Sequence, residues 1–325
     1  MSEQGTSPLD DLTAGGLAID AFELLANETR LAILVTLWES YRPFAEDTTV
    51  PFSELRERVG MTDSGQFNYH LDRLTDHFVD ATDDGYRLSD AGLTVVRSVI
   101  AGAGIEERTL EPTTVDMDCK LCGSPVEIAY KDGWVYVFCT DCEGLWTDRS
   151  DHARGQLARF SLHPAALADR TPEEIYAAAW LTTYQKLHSM IEGVCPTCSG
   201  PIEQSVDVCE NHENDGICGN CGRNVRGVAQ LSCDICKEWV QSTLGSIAKY
   251  HPAVVGFCYR HGIELQYGID GLAQIGRRLD EATSDVEFVS ENPPRVDVTT
   301  EMDGDEIRVR LAEDLTVLAV TERMA

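Results

Sequence analysis

An α+β fold assembled from several modules is what this 325-residue sequence predicts. Three observations carry that expectation. All twelve cysteines fall in C-x2-C or C-x2-H units between residues 119 and 261. Residues 17–103 show regular helical punctuation interrupted once by a strand, a turn and a strand. The tail, residues 285–321, alternates apolar and polar side chains with the period of two that strands require.

The first module is justified element by element. Leu17, Ile19, Phe22 and Leu25 mark an opening helical segment. Asn27 is placed to cap the next helix, where Leu31, Ile33, Leu34, Leu37 and Trp38 recur at helical spacing. Tyr41 to Val50 reads as a polar loop, and Ser53 caps a short helix ending at Gly60. Asp63 or Thr62 caps a helix running to Phe78, with Phe67, Leu71, Leu74 and Phe78 as one apolar stripe. Val79 to Leu88 is a hairpin turning at Asp83-Asp84-Gly85. Ser89 opens a last helix with Leu93, Val96, Val99 and Ile100 inward.

Helices, then a hairpin, then a helix make a winged helix-turn-helix, expected over residues 17–103 after an arm, residues 1–16, expected to be disordered. The helix from Asp63 would be the recognition helix, which in such domains enters the major groove. Its outward set is Ser64, Gln66, Asn68, Tyr69 and Arg73, and Arg87 sits on the wing. Gln and Asn suit paired hydrogen bonds to adenine, and Arg suits guanine or phosphate. The plainer reading is an amphipathic bundle with a polar face, or a winged helix used for protein contacts. The wing turn and the polar outward set occur together, which favours double-stranded DNA. Against it, residues 20–100 carry seven Arg and Lys and 15 Asp and Glu.

Residues 18–102 resemble the ArsR-type winged helix-turn-helix of archaeal regulators. The matching stretches are DAFELLANETRLAIL, FSELRERVGMTDSGQFNYHLDRL and the wing DDGYRLSDAG. The resemblance implies operator DNA as partner and a homodimer as the working form. Founding members of that family sense metal through cysteines on the helix before the recognition helix. Phe52 to Gly60 contains no cysteine, so metal sensing is not carried over. The remainder resembles the zinc-containing C-terminal part of haloarchaeal regulators of this type, which implies no ligand.

The cysteine units point to Zn2+. A spacing of two lets both side chains of a tight turn converge on one ion, and tetrahedral zinc takes four such ligands with Zn–S near about 2.3 Å. Cys119, Cys122, Cys139 and Cys142 have ribbon spacing and should form one closed site, with Trp134 to Phe138 as a strand between the pairs. In the second cluster, nested pairing joins Cys195, Cys198, Cys233 and Cys236, and makes Cys209, His212, Cys218 and Cys221 a compact inserted knuckle. Sequential pairing would join Cys195/Cys198 to Cys218/Cys221; nesting is preferred because residues 209–221 form a short self-contained unit. That accounts for about three structural sites and leaves Cys258/His261, in an apolar run, without metal. His70 and His77 read as ordinary core or surface imidazoles.

The organisation expected beyond residue 103 is a linker with the first ribbon, 104–147, a helical segment, 148–194, and the second zinc cluster with a C-terminal α/β region, 195–325. Thr171-Pro172-Glu173-Glu174 is a capping box for a helix presenting Ile175, Ala179, Leu181, Tyr184 and Leu187. A helical stretch follows the second cluster through Ala248. Val296/Val298, Ile307/Val309/Leu311 and Leu315/Val317, with a turn at Met302-Asp303-Gly304-Asp305, predict a small β-meander. Trp134, Trp146 and Trp180 read as core rather than as the wall of a pocket.

Composition bounds the function. With 43% hydrophobic residues the chain can form real cores, and no apolar run approaches the roughly 18 residues of a membrane helix. The N-terminus has no basic start and no apolar stretch, so a cytoplasmic protein is expected, where paired cysteines bind metal rather than each other. A net charge of −29, with five Lys against 55 Asp and Glu, suggests a salt-adapted, halophilic cytoplasm. At about 1 M salt the Debye length is about 3 Å, and net charge stops opposing DNA. An HExxH helix, a nucleophile elbow and phosphate-binding Gly loops are all absent from the sequence, so no enzyme is expected. The expectation is a DNA-binding transcription regulator. Its zinc sites would support a C-terminal region that dimerises, senses an effector or contacts a protein. The rival is a zinc-ribbon interaction module in a transcription or RNA-processing assembly.

Overall fold

A computed structural model of the chain describes residues 22–45, 48–102, 108–147, 155–262 and 284–325. The arm expected over residues 1–16 lies outside the described residues. The chain divides into two compact units, Met1–Ile105 and Glu106–Ala325. No described helix is long and apolar enough to cross a membrane.

The first unit begins with a helical turn at residues 22–25, followed by α1 (Glu28–Ser40), α2 (Phe52–Val59) and α3 (Ser64–Leu74). A hairpin of β1 (Val79–Thr82) and β2 (Gly85–Leu88) and a last helix, α4 (Asp90–Ile100), complete it. Asn27 caps α1 by accepting from the Arg30 N–H at 3.1 Å. Asp63 caps α3 by accepting from the N–H groups of Gly65 and Gln66 at 2.8 and 3.0 Å. Ser53 is not a cap: α2 starts one residue earlier, after Pro51, and ends in a left-handed Gly60. The third helix also stops before Phe78. Thr75 leaves helical conformation, and Phe78 reaches the core from the strand entry.

One core holds the unit, with Ile33, Leu34, Leu37, Leu55, Phe67 and Leu71 at its centre. Leu93 and Val96 close it from α4, whereas Ile100, expected inward, is 47% exposed because the helix ends beyond the core's edge. Val50 pairs with Tyr86 in both directions, at 2.8 and 3.0 Å, and so ties the loop before α2 to the hairpin.

His70 is buried on the core side of α3, and its Nδ1 has no hydrogen-bond partner. Burial, and then the Arg30 guanidinium, hold its pKa below the usual 6.5. Protonation therefore favours the unfolded chain, so this group's penalty is absent above about pH 6.5 and grows as pH falls below it. The stability advantage of wild type over His70→Gln is expected to shrink as pH drops from about 7 to about 5, read by denaturant titration.

The second unit opens with an antiparallel sheet in the order β3 (Leu110–Asp118), β4 (Pro125–Lys131), β5 (Trp134–Cys139) and β6 (Gln156–Ser161). Two expectations are corrected here. Most of the supposed linker is β3, and the first element described within the supposed helical segment is β6. Both are edge strands, and edge strands need bury only one face in part; β3 buries just Val115 and carries Pro112. A 3-10 turn (Pro164–Leu167) leads to α5 (Pro172–Ile191), whose capping box forms as expected, with Thr171 and Glu174 bonded reciprocally at 3.3 and 2.8 Å.

A three-stranded antiparallel sheet follows, β7 (Ile202–Val208), β8 (Gly227–Cys233) and β9 (Trp239–Thr243). Only Leu244–Ala248, α6, is helical where a longer helical stretch was expected, because β9 pairs in register with β8. After α7 (Pro252–Arg260) the chain ends in an antiparallel meander of β10 (Ser284–Glu291), β11 (Pro294–Met302), β12 (Asp305–Leu311) and β13 (Val317–Arg323). Val296, Val298, Ile307, Val309 and Leu311 bury its inner face against Phe257 and Leu231. Helix α5 joins both cores of this unit. Ile175 and Ala179, near its start, pack on the first sheet, and Leu187 and Met190, near its end, pack on the second.

Candidate metal centres

Three groups of four ligands form in the second unit. The first is Cys119, Cys122, Cys139 and Cys142; the second is Cys195, Cys198, Cys233 and Cys236; the third is Cys209, His212, Cys218 and Cys221. Within each group all ligand atoms lie within 4.8 Å of one another. The closest Sγ–Sγ separations are 3.4 and 3.7 Å in the first group and 3.5 Å twice in the second. A regular tetrahedron with metal–sulfur bonds of about 2.3 Å has edges of about 3.8 Å, so the thiolates already sit near the separations one ion imposes. In the third group His212 turns Nδ1 toward Cys221 Sγ at 3.6 Å.

The pairing is nested, and the sheet explains it. Strand β7 leaves the Cys195/Cys198 turn and runs to the Cys209 turn, while β8 returns to Cys233. Ile202 pairs with Cys233 and Val208 with Gly227, so the second and third groups close opposite ends of one two-stranded ribbon. Sequential pairing would have to span that ribbon's length.

Four of the C-x2-C turns share one backbone geometry. In each, the first cysteine accepts from the N–H four residues on: Gly123 to Cys119, Ser199 to Cys195, Gly222 to Cys218 and Lys237 to Cys233, at 2.7–2.9 Å. In each, the donor has positive φ, between 59° and 79°. This left-handed residue folds the turn so that both thiols face inward.

The Cys139/Cys142 turn is built differently. Cys139 donates its N–H to the Gly155 carbonyl at 2.8 Å, and Leu145 and Trp146 donate to Gln156 at 2.9 and 3.1 Å. Gly155 has φ +78°, and a Cβ there would lie 2.3 Å from the Cys139 carbonyl oxygen and 2.9 Å from that of Cys142. Gly155→Ala is therefore expected to lower the metal content by one ion per chain, measured by inductively coupled plasma mass spectrometry. Sequence reading passed over Gly155 because it lies 13 residues past Cys142.

Local donors lower the pKa of some of the thiols, and burial raises that of others. Hydrogen bonds from the Ser124 hydroxyl and N–H pull Cys122 down to about 6, and burial pushes Cys142 up to about 12. The Glu213 N–H pulls Cys218 down to about 6. Backbone N–H groups also approach Cys119 and Cys139 at 3.3–3.4 Å. Such donors satisfy lone pairs that the ion leaves unused and orient the ligands.

The first and third groups are physically joined. Thr147 donates to Gly222 at 2.8 Å, Asn224 donates to Leu145 at 2.9 Å, and Trp146 bridges Arg223. Cys258, by contrast, is buried at the end of α7 among the core residues of the meander. His261 faces Asp303 and Asp305 at 3.1 and 3.3 Å, and no metal-binding group forms there among the described residues.

The residues expected to face DNA belong to the first unit. Ser64, Gln66, Asn68, Tyr69, Arg73 and Arg87 are all exposed. Asn68 donates to Asp72 at 2.7 Å, and Arg87 pairs with Asp80 at 3.4 Å. Trp134, Trp146 and Trp180, expected in the core, are only half-buried and line a cavity of about 1080 Å³ in the second unit.

The fold and its centres define a mixed α and β protein carrying three four-ligand Cys/His groups able to hold metal ions. The chain belongs to the family described as Domain of unknown function (DUF7351), whose model matches residues 116–317. Residues 18–99 match a second family, Domain of unknown function (DUF7347). No curated protein and no solved structure matches the chain.

Proposed function

We propose that the protein is a DNA-binding transcription regulator whose second unit is folded around structural zinc. The carrying observation is α3. It buries Phe67, Leu71 and Leu74 and leaves Gln66, Asn68, Tyr69 and Arg73 exposed, beside a hairpin that turns at Asp83-Asp84. Three helices, a short hairpin and a helix in that order make up a winged helix-turn-helix, and α3 is its recognition helix. Gln66 and Arg73 read base edges or phosphate, and Arg87 follows the backbone from the wing. Exposed side chains Leu31 and Val35, one turn apart on α1, offer an apolar face for a homodimer.

Four sulfur or imidazole ligands per group favour Zn2+ in closed, structural sites, since a catalytic zinc keeps one position open. The Asn68–Asp72 hydrogen bond and the Arg87–Asp80 ion pair are weak surface contacts that DNA can displace. A salt-adapted cytoplasm removes the obstacle that net charge presents. The test is an electrophoretic mobility or anisotropy assay of the zinc-loaded chain on its own upstream region, in multimolar KCl. Sequence-dependent binding is the expected result; equal binding of upstream and scrambled DNA would refute the proposal.

A further inference from the structure

The cavity in the second unit has a chemistry unlike the rest of the chain. It lies between β5 and β6, α5, β9 and the third metal group. Eight aromatic side chains line it, among them four of the five tryptophans: Trp134, Trp146, Trp180 and Trp239. Five cations line it, Lys120, Arg159, Lys186, Arg223 and Lys249, against three acids, Asp116, Asp118 and Asp207, and Lys186 is also paired with Glu238 at 2.6 Å, a carboxylate outside the lining. The whole chain holds 26 Lys and Arg against 55 Asp and Glu, so the cavity reverses the sign of its surroundings. Three of the chain's five lysines are on its wall.

The aromatic side is organised. Trp180 stacks on Tyr184 at 5.1 Å and Tyr184 on Tyr250 at 4.6 Å, a continuous ladder of flat rings from α5 to the turn after α6. Across the cavity, Trp134 and Trp239 lie 6.4 Å apart, and the Arg159 guanidinium sits over both, 4.5 and 5.5 Å from their centres. An aromatic box of this kind ordinarily receives a ligand cation. Here the chain's own arginine fills that place.

Two buried polar atoms on the wall have no partner, Thr183 Oγ1 and Arg223 Nε. The Arg223 side chain is 7% exposed, and its other end is fixed to Asp207 at 2.6 Å. The Arg223 guanidinium also interacts with the Cys221 sulfur, so its charge is held at the wall beside the third metal group. Volumes of about 300–1,000 Å³ are typical of sites for small organic molecules.

We infer that this cavity binds an organic anion with a flat aromatic body, its ring on the Trp180–Tyr184–Tyr250 ladder and its acidic group among Arg159, Lys249 and Arg223. The inference goes beyond the DNA-binding reading and does not rest on it. The wall includes Cys209 and Cys221, so an occupant would also touch the third metal group.

The experiment takes the full-length, metal-loaded chain and three probes: 2-naphthoate, 2-naphthylmethylammonium and acetate. By isothermal titration calorimetry, naphthoate is expected to bind one per chain and at least about tenfold more tightly than the amine, a gap of about 1.4 kcal/mol. Arg159→Gln is expected to weaken naphthoate at least about tenfold while metal content stays unchanged. A lysine-acylation footprint on the wild-type chain needs no folded variant. At about twice its Kd, naphthoate should slow acylation of Lys120 and Lys249 about threefold by mass action, and leave Lys131 and Lys237, outside the cavity, unchanged. Acetate should protect none. Equal or tighter binding of the amine, no naphthoate binding beyond that of acetate, or uniform protection of all five lysines would overturn the inference.

Discussion

Stripping the metal is expected to unfold the second unit and leave the first standing. A strong chelator should release three ions per chain, with loss of most of the β signal in far-UV circular dichroism and of the helical signal from α5–α7, while the part carried by α1–α4 survives. The magnitudes favour this outcome. Structural zinc contributes about 10–16 kcal/mol of apparent free energy in small finger peptides, comparable with the entire net stability of a domain, about 5–15 kcal/mol. The twelve ligands fix both ends of the β7–β8 ribbon and one end of the first sheet. Residues 22–102 contain no cysteine and have a separate core around Ile33, Leu55 and Phe67.

Single substitutions should grade the effect. Cys139→Ser removes a buried ligand at the end of β5 and should release the first ion and, through the Thr147–Gly222 and Asn224–Leu145 bonds, loosen the third. Cys258→Ala is the control. It touches no metal group, so three ions should remain, with a loss of about 1 kcal/mol for the small cavity. An unchanged melting profile after complete metal loss would show that the groups are incidental to the fold.

How far the sequence discloses this architecture depends on what each signal measures. C-x2-C spacing is a local constraint, so the half-sites are visible one by one. Nesting becomes legible only because residues 209–221 close on themselves within a few residues. The meander announces itself because Val296, Val298, Ile307 and Val309 each bury one face against a single core. Edge strands carry no such pattern: β3 buries one residue in nine and β6 one in six, so neither shows alternation. Gly155 is invisible for another reason, since its role is set by an approach to Cys139 and Cys142 from outside their turn. The tryptophans misled because size and apolarity predict burial, whereas these rings stand at a wall where several elements leave space between them.

Separating stability from DNA affinity should be possible within one helix. On α3, Leu71 is fully buried and its truncation to Ala is expected to cost about 2–5 kcal/mol, lowering the unit's melting temperature. Gln66 and Arg73, each one position from a buried neighbour, Phe67 and Leu74, face outward, and Gln66→Ala or Arg73→Ala should change stability by no more than about 0.5 kcal/mol. If α3 reads DNA, each exposed change costs about 1–3 kcal/mol of binding, roughly 5- to 150-fold. The two residues need not lose affinity in the same way. A contact to a base edge relaxes preference at one position of the site, whereas a contact to phosphate weakens all sequences alike and lowers the slope of log affinity against log salt by about one. Measuring both variants on operator and scrambled DNA over a series of KCl concentrations therefore assigns each side chain its role. A double variant that melts like wild type and binds operator like wild type would remove α3 from the DNA interface. With it would go the reason to read this unit as anything more than a helical bundle with a polar face.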